Sequence, residues 1–440
     1  MICAKDSMAA CAFMVLATVL YMAPSHSFVQ TSGVATLARQ RDFTYKRRIS
    51  SSSRRIATSN AGASFRARST KRRTASPCMS SDSDHDILLR VARGESADRS
   101  PVWLMRQAGR YMAEFRKYSD KYPFRHRSET PEIAIELSLQ PWRTFGVDGV
   151  IMFSDILTPL PAMGVEFDVI KGKGPVIASP IRTAEDVSAV LALEDIDGKL
   201  PFVGRTLQAL RKETEGKSTL IGFVGAPWTL AAYAIEGGSS KHALFTKKMM
   251  MEEPALFHSL MTKLANSIGD YACYQAENGA QVIQVFESWA HQIIPSQFET
   301  FAKPYANLAM SKLKTRFPHV PVIYFANGGS SYLESQGDAQ ARTTTIMTLD
   351  QFVDIKSARE RLGRRVPVSG NVDPLVLLGP EAGIQDAVQS CVRDAGSHGH
   401  ILNLGHGVLQ QTPESAVGAF VDAAKAARYD VVLDREEAHA

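Results

Sequence analysis

The sequence predicts an α/β fold, a single (β/α)8 TIM barrel, and three observations carry that prediction. Eight short apolar, β-rich runs punctuate the chain: Val102–Met105, Gly149–Phe153, Thr219–Val224, Gln281–Phe286, Val320–Phe325, Thr345–Leu349, Arg365–Val368 and His400–Leu404. Amphipathic stretches with helical period lie between them, among them Pro131–Phe145, Val203–Thr214, Glu253–Ala276 and Gln297–Arg316. No low-complexity linker interrupts the alternation from about Asp86 to Tyr429, so one domain holds all of it. Strands that alternate with helices need crossover connections, and these build a parallel sheet. An open doubly wound sheet would show the same alternation and is the alternative.

Taken in order, the runs end on residues that bear chemistry. The first opens onto Met105-Arg106-Gln107-Ala108-Gly109-Arg110-Tyr111. Its two guanidiniums share a face if the chain turns helical, or flank a turn at Gly109, and either arrangement offers paired forks for carboxylates. A solvated basic loop is the plainer alternative. The second run carries no charge and ends at Ser154-Asp155. Asp155 is either a helix cap or an acid at the barrel mouth placed to accept N–H groups.

The third run leads into Gly225-Ala226-Pro227-Trp228-Thr229-Leu230, followed by Tyr233 and a second turn at Gly237-Gly238. The order GxxxxGK[ST] is missing, so this is no phosphate loop. Tyr233 taken alone reads most simply as a core tyrosine with a bonded hydroxyl. After the fourth run comes Glu287-Ser288. Ser288 has no adjacent His and no GxSxG elbow, which makes it a hydrogen-bond donor to a ligand rather than a nucleophile. Asn327-Gly328 and Asp350 close the fifth and sixth runs, the sixth following a Thr triplet without clean alternation. Gly370-Asn371 closes the seventh, and Gly405-His406-Gly407 the eighth, where the small flanking residues let backbone approach a ligand. In a parallel barrel all these positions emerge on one face, where active sites are built. Strands end in polar turns in any case; it is the presence of Arg, Asp, Ser and His together that favours a site.

The net charge of +5 is unevenly spread. Residues 28–80 hold twelve Lys/Arg against the single acid Asp42, whereas residues from Ser81 onward hold 37 basic and 43 acidic side chains. An acidic mature chain of this kind excludes nucleic acid as a partner on overall charge, while leaving room for a local basic pocket. Met8–Ala23 is an uncharged run of sixteen residues, too short and badly flanked for a membrane span. Residues 1–27 therefore read as a signal peptide cleaved before Phe28, and the Arg/Ser-rich residues 28–80, with the cluster Ser50–Arg55, as a disordered transit peptide. Such a bipartite leader points to a plastid, with residues 81–440 as a mature domain lacking stable membrane anchoring. A single anchor or secretory signal with a basic tail is the alternative. Cys3, Cys11 and Cys78 fall in the leader, and Cys273 and Cys391 show neither disulfide nor zinc spacing, so both read as buried small side chains.

The motifs together carry a resemblance. Pro101–Arg110 and Ile221–Leu230, the latter continuing to Tyr233 and Glu236-Gly237-Gly238, resemble the two signatures of uroporphyrinogen decarboxylases. Phe153–Leu157, Lys171–Pro175, Phe286–Ala290, Gly370–Pro374 and Asn403–Gly407 match further family motifs in order, and the likeness covers essentially all of residues 86–429. Glu136–Pro141 and Ile151–Pro161 are most similar to the plant and algal branch. The resemblance implies a homodimeric barrel without metal or organic cofactor that turns uroporphyrinogen III into coproporphyrinogen III and CO2. It further implies that Arg106 and Arg110 hold substrate carboxylates, that Asp155 faces the pyrrole N–H groups, and that Tyr233, Ser288 and His406 line the pocket. Gln107 would bind substrate beside the first arginine, and Asp155, Arg106, His406 and Tyr233 would carry the catalysis. Two places depart from the family pattern. Phe115–Arg127 offers Lys117, Lys121 and Arg125 where a further Arg is common, and Gln351-Phe352 stands where Trp-Thr is usual. A zinc-thiolate methyltransferase of the same superfamily and a non-catalytic tetrapyrrole carrier are the competing readings. The first is disfavoured by the wide separation of Cys273 and Cys391, the second by the intact polar set at the strand ends.

Overall fold

Alternation within the apolar runs decides which way each side chain goes. In Thr219–Gly225 every residue is buried, with Leu220 and Val224 in one core cluster and Ile221 in another. A strand buried on both faces belongs in a parallel sheet covered by helices. The computed structural model describes residues 86–340 and 346–432 and contains such a sheet. Its strands, in chain order, are β1 (Gly149–Ile151), β2 (Phe167–Ile170), β3 (Gly174–Ile177), β4 (Thr219–Gly225), β5 (Val282–Glu287), β6 (Val322–Ala326), β7 (Ile346–Thr348), β8 (Val368–Ser369) and β9 (His400–Ile401). Seven of them form one sheet in the order β1-β4-β5-β6-β7-β8-β9, every neighbouring pair parallel. β2 and β3 pair separately as an antiparallel hairpin.

Seven of the eight predicted runs are strands of this sheet. The first run, Val102–Met105, makes one parallel bridge, from Val102 to Leu402, and does not form a strand. Its backbone is engaged on both sides: Leu402 N–H donates to Pro101 O at 2.8 Å, and Asp148 N–H donates to Val102 O at 2.7 Å. The ladder is short for a local reason. Pro101 has no N–H to give, and the N–H of Val102 is taken by the Asp148 carboxylate at 2.7 Å.

One face of the sheet packs Trp103, Ile221, Val282, Ile323, Phe325, Ile346 and Ile401 against a short helix, Ile87–Ala92. Leu89 N–H donates to Thr219 Oγ1 at 3.1 Å, which fixes that helix beside the first residue of β4 and leaves the opposite strand ends free. The other face is covered by helices at Pro131–Phe145, Pro201–Thr214 and Pro254–Glu277, close to the predicted spans. The stretch Gln297–Arg316 is divided into a π-turn, Phe298–Ala302, and an α-helix, Lys303–Arg316. Pro304 lacks the N–H that would continue a regular ladder, and the hydrogen-bond register shifts just before it. Cys273 and Cys391 are both buried, on different helices. The described residues all fall within one compact unit, Cys78–Ala440, and none of their helices is long and apolar enough to cross a membrane. The expected leader segments 1–27 and 28–80, with Phe28, Cys3, Cys11 and Cys78, lie outside the described residues, as does Thr345 at the start of the sixth run.

Candidate active site

Asp155 follows β1 by four residues. The chain leaves the strand through Phe153, whose N–H donates to Ser138 Oγ at 2.7 Å, and turns at once. Asp155 Oδ1 accepts the N–H of Leu157 at 2.8 Å, and Thr158 Oγ1 accepts the N–H of Asp155 at 3.3 Å. Among the described residues nothing donates to Oδ2. The carboxyl is only partly open to solvent, and burial pushes its pKa above the usual carboxylate range, with the Leu157 N–H and the Arg106 charge pulling it back down.

Arg106 and Arg110 flank turns rather than sharing a helical face, which decides between the two arrangements open from sequence. Arg106 itself holds a left-handed backbone, φ +56°, a conformation that costs a non-glycine residue roughly 1–2 kcal/mol. Both guanidiniums are exposed, and neither makes an ion pair or hydrogen bond with any described residue. The aliphatic stem of Arg106 lies directly on Gly407: a Cβ there would come within 2.7 Å of Arg106 Cγ and closer still to Cδ. Gly407 is thus the reason the His406 loop can fit under the arginine.

His406 is half-buried, its ring edge-on to Phe325 with centroids 6.4 Å apart. Burial first, and then the charges of Arg106 and His291, push its pKa down, so the imidazole is neutral at neutral pH. Phe325, Phe286 and Phe223 form an edge-to-face row, with centroids 6.4 and 5.7 Å apart, which continues the apolar surface from His406 across three strands. Tyr233 comes from the helix Pro227–Glu236 and is half-buried, its ring 4.7 Å from that of Trp289. Burial raises its pKa, and Asp155 and Arg106 both act on it electrostatically. Ser288 stands half-buried at the end of β5, its carbonyl held by Asn327 Nδ2 at 3.1 Å. Arg106 is therefore the hub: its charge reaches Asp155, Tyr233 and His406.

Gln107 is a correction. Its side chain has no exposed surface, its Oε1 accepts Leu104 N–H at 3.2 Å, and its Nε2 donates to Gly149 O at 3.0 Å. Each end of the amide bonds backbone beneath the arginine and none of its surface is exposed, so in this arrangement it supports the turn rather than facing a ligand. Around the first departure, Lys117 pairs with Glu114 and Arg125 with Glu129. Arg127 behaves differently. It is buried, with its guanidinium 5.3–5.6 Å from the rings of Phe115, Phe124 and Phe153, and Arg110 acts on it electrostatically. At the second departure Phe352 is 75% exposed, while Asp350 is buried and ties two loops by accepting the N–H groups of Gly328 (2.8 Å) and Phe352 (2.9 Å). Sequence reasoning missed His291, whose charge acts on His406: it lies one residue past a quoted motif in the 3-10 turn Ala290–Gln292, too short to carry a period that would mark it.

Two free cations at the rim, one open carboxylate oxygen deeper in and an aromatic wall suit a flat polyanion that carries N–H donors. The uroporphyrinogen decarboxylase family profile matches residues 83–427. A uroporphyrinogen decarboxylase of a Picosynechococcus species is 51% identical over 348 residues, which is 79% of this chain and 98% of that protein. The chain belongs to the uroporphyrinogen decarboxylase family. The family member from Nostoc punctiforme is likewise 51% identical, over 79% of this chain and 97% of its own length. Among solved structures, a methyltransferase from Methanosarcina mazei aligns with a TM-score of 0.65 at 20% identity, covering 77% of this chain and 97% of that one. That likeness speaks to the α/β fold the family shares. Among the described residues no group of three His, Cys, Asp or Glu side chains is placed to hold a metal ion.

Proposed function

We propose that this carboxy-lyase removes the carboxyl group from each of the four acetate side chains of uroporphyrinogen III, giving coproporphyrinogen III and four CO2 in haem and chlorophyll synthesis. The observation that carries the reading is Asp155, a carboxyl in the turn after an uncharged strand with one oxygen left open among the described residues and a free guanidinium nearby. That oxygen can accept pyrrole N–H groups from the centre of the macrocycle, while Arg106 and Arg110 take peripheral carboxylates.

The chemistry needs no added electron sink. A pyrrole protonated on the ring carbon beside an acetate becomes a cation, and the electrons of the breaking C–CO2 bond flow into it. The exocyclic methylene left behind is protonated to a methyl group, and the ring carbon returns its proton. Asp155 stabilises the cation, an electrostatic effect worth about 3–4 kcal/mol when a preorganised group acts in a water-poor site. Arg106 holds its proton far too tightly to donate it. His406 in its minor protonated form, or a water beside it, delivers the proton, and Tyr233 and Ser288 hold the ring's edge.

The same proposal extends to three further points. The run Val102–Met105 serves as the eighth stave of a closed barrel, supported by its bonds to Leu402 on one side and Asp148 on the other. The enzyme works as a homodimer, supported by the family resemblance. Residues 1–80 deliver it to a plastid, supported by their composition; a fluorescent reporter fused behind them would show where they lead. The decisive test is an anaerobic assay of the purified chain with uroporphyrinogen III and excess EDTA, run on the species that elutes at twice the chain mass. A ladder of products from eight carboxylates to four, unchanged by the chelator, is expected. Substrate binding without CO2 release would favour the carrier reading.

A further inference from the structure

The helix that carries Tyr233 starts without a cap of its own. Its N-cap residue is Ala226, which has no side-chain oxygen, and Pro227 at the first position offers no N–H. The free N–H two residues on, at Thr229, is bonded by a carboxyl from the neighbouring strand: it donates to Glu287 Oε1 at 3.0 Å. The Thr229 hydroxyl donates to the same oxygen at 2.5 Å and accepts the N–H of Trp289 at 3.3 Å. Trp228 Nε1–H donates to Trp289 O at 3.1 Å, and the Trp289 ring lies against Tyr233. Glu287 has no exposed surface, so none of this touches substrate.

We propose that Glu287 and Thr229 are positioning residues, a latch that fixes the Tyr233 helix and the Ser288-Trp289 loop in one register. The two groups come from different βα units, and beyond the β4–β5 ladder the latch and the Trp228–Trp289 hydrogen bond are what set their separation. The inference rests on Tyr233 and Ser288 lying at the substrate, as proposed above. A buried carboxyl at a helix N-terminus would ordinarily be expected to ionise. Here burial outweighs the Thr229 and Tyr324 hydrogen bonds and pushes the Glu287 pKa up to about 8. The titratable groups facing it are the phenols of Tyr324, 3.5 Å from Oε2, and Tyr332, with Asp350 beyond Tyr332. No cation among the described residues pairs with it. The latch is thus uncharged below about pH 8 and becomes a buried, unpaired charge above it.

Steady-state kinetics of the full chain on uroporphyrinogen III, from pH 6 to pH 9.5, test this, with Tyr233→Phe as the reference. Thr229→Val is expected to lower kcat at least about tenfold at pH 7 with a smaller change in KM, the signature of displaced groups, and Thr229→Ser is expected to restore it. Glu287→Gln copies the neutral carboxyl: it accepts from Thr229 and gives an N–H to Tyr324. It should hold its rate above pH 8, where the wild-type chain is expected to lose activity as Glu287 ionises. If Tyr233→Phe lowers kcat while Thr229→Val does not, the latch is overturned and the site reading stands. If Tyr233→Phe is silent, the site reading falls first. Wild-type and Glu287→Gln profiles that decline together above pH 8 would also overturn the latch, as would a Thr229→Val variant that loses only thermal stability.

Discussion

Asp155 has one oxygen engaged by its own turn and the other left open, and that division of labour sets its expected behaviour. Removing it in Asp155→Ala should cost at least about 10² in kcat, the scale at which a single preorganised electrostatic contact acts on a developing charge. The pH dependence has a definite sign. Asp155 must be ionised to stabilise a cationic pyrrole, and burial places its pKa above 3.8. The rate kcat/KM should therefore fall as the pH drops through a limb that lies higher than an ordinary aspartate would give, and Asp155→Ala should lack that limb. A near-wild-type rate in this variant would remove Asp155 from the mechanism. Arg127 shows the contrast between residues: it is buried, and its cation faces three rings and a backbone carbonyl, so it packs the Phe153 wall from behind.

At the scale of elements, the site is made of loop ends whose spacing depends on small residues. Gly405 and Gly407 bracket His406 because the backbone of Gln351 lies on one side and the stem of Arg106 on the other. Gly407→Ala should push the Arg106 side chain outward. The expected outcome is a loss in kcat/KM of roughly tenfold or more, since an ångström of displacement can cost 10², with the far-ultraviolet circular dichroism unchanged. Retention of full activity would show that Arg106 is not needed where the structure holds it. The β2–β3 hairpin is an element that sequence reading did not find. Its strands are four residues each and mostly half-exposed, so they lack the apolar run that marks a core strand. It is nevertheless anchored near the site, because Ile177 N–H donates to Gly237 O at 3.0 Å just beyond the Tyr233 helix.

For the whole molecule, His400 is the knot. Its Nδ1 accepts from Ser100 Oγ at 2.7 Å, its Nε2–H donates to Gly370 O at 2.9 Å, and Ser100 Oγ meets Tyr429 OH at 2.9 Å. Four distant segments are joined there: the entry to the first run, the end of β8, the start of β9 and the C-terminal Tyr429. Burial drives the His400 pKa down to about 4 from an ordinary 6.5. The folded form therefore stays neutral while the unfolded chain takes up a proton, and stability is lost as the pH falls from about 6.5 towards 4. The loss should be on the order of 3 kcal/mol by the lower end of that window. Urea unfolding at pH 7 and pH 5 measures it, and His400→Gln should flatten the difference. An equal slope in both proteins would assign the acid sensitivity to other groups.

Much of the architecture was legible in the sequence because it rests on local physics. The period of two and the period of 3.6 separated strands from helices, and the helix Pro131–Phe145 came out with its observed bounds. The strand-end rule put Arg106, Asp155, Ser288 and His406 in one set of loops, while Tyr233, inside the helix Pro227–Glu236, joined them only through the family resemblance. What the sequence could not determine depends on contacts between residues far apart in the chain. Arg106 and Gln107 are neighbours of similar promise in the sequence, yet one is exposed and the other sealed under β1, because only the fold puts Gly149 O beside the amide. Glu287 reads as one acid among 45, and only the arrival of Thr229 from another unit makes it a buried cap. The first run has strand composition, but Asp148 claims the N–H that a ladder would need. Local propensity is written in each segment; hydrogen-bond partners, burial and the pKa shifts that follow from them exist only once the segments meet.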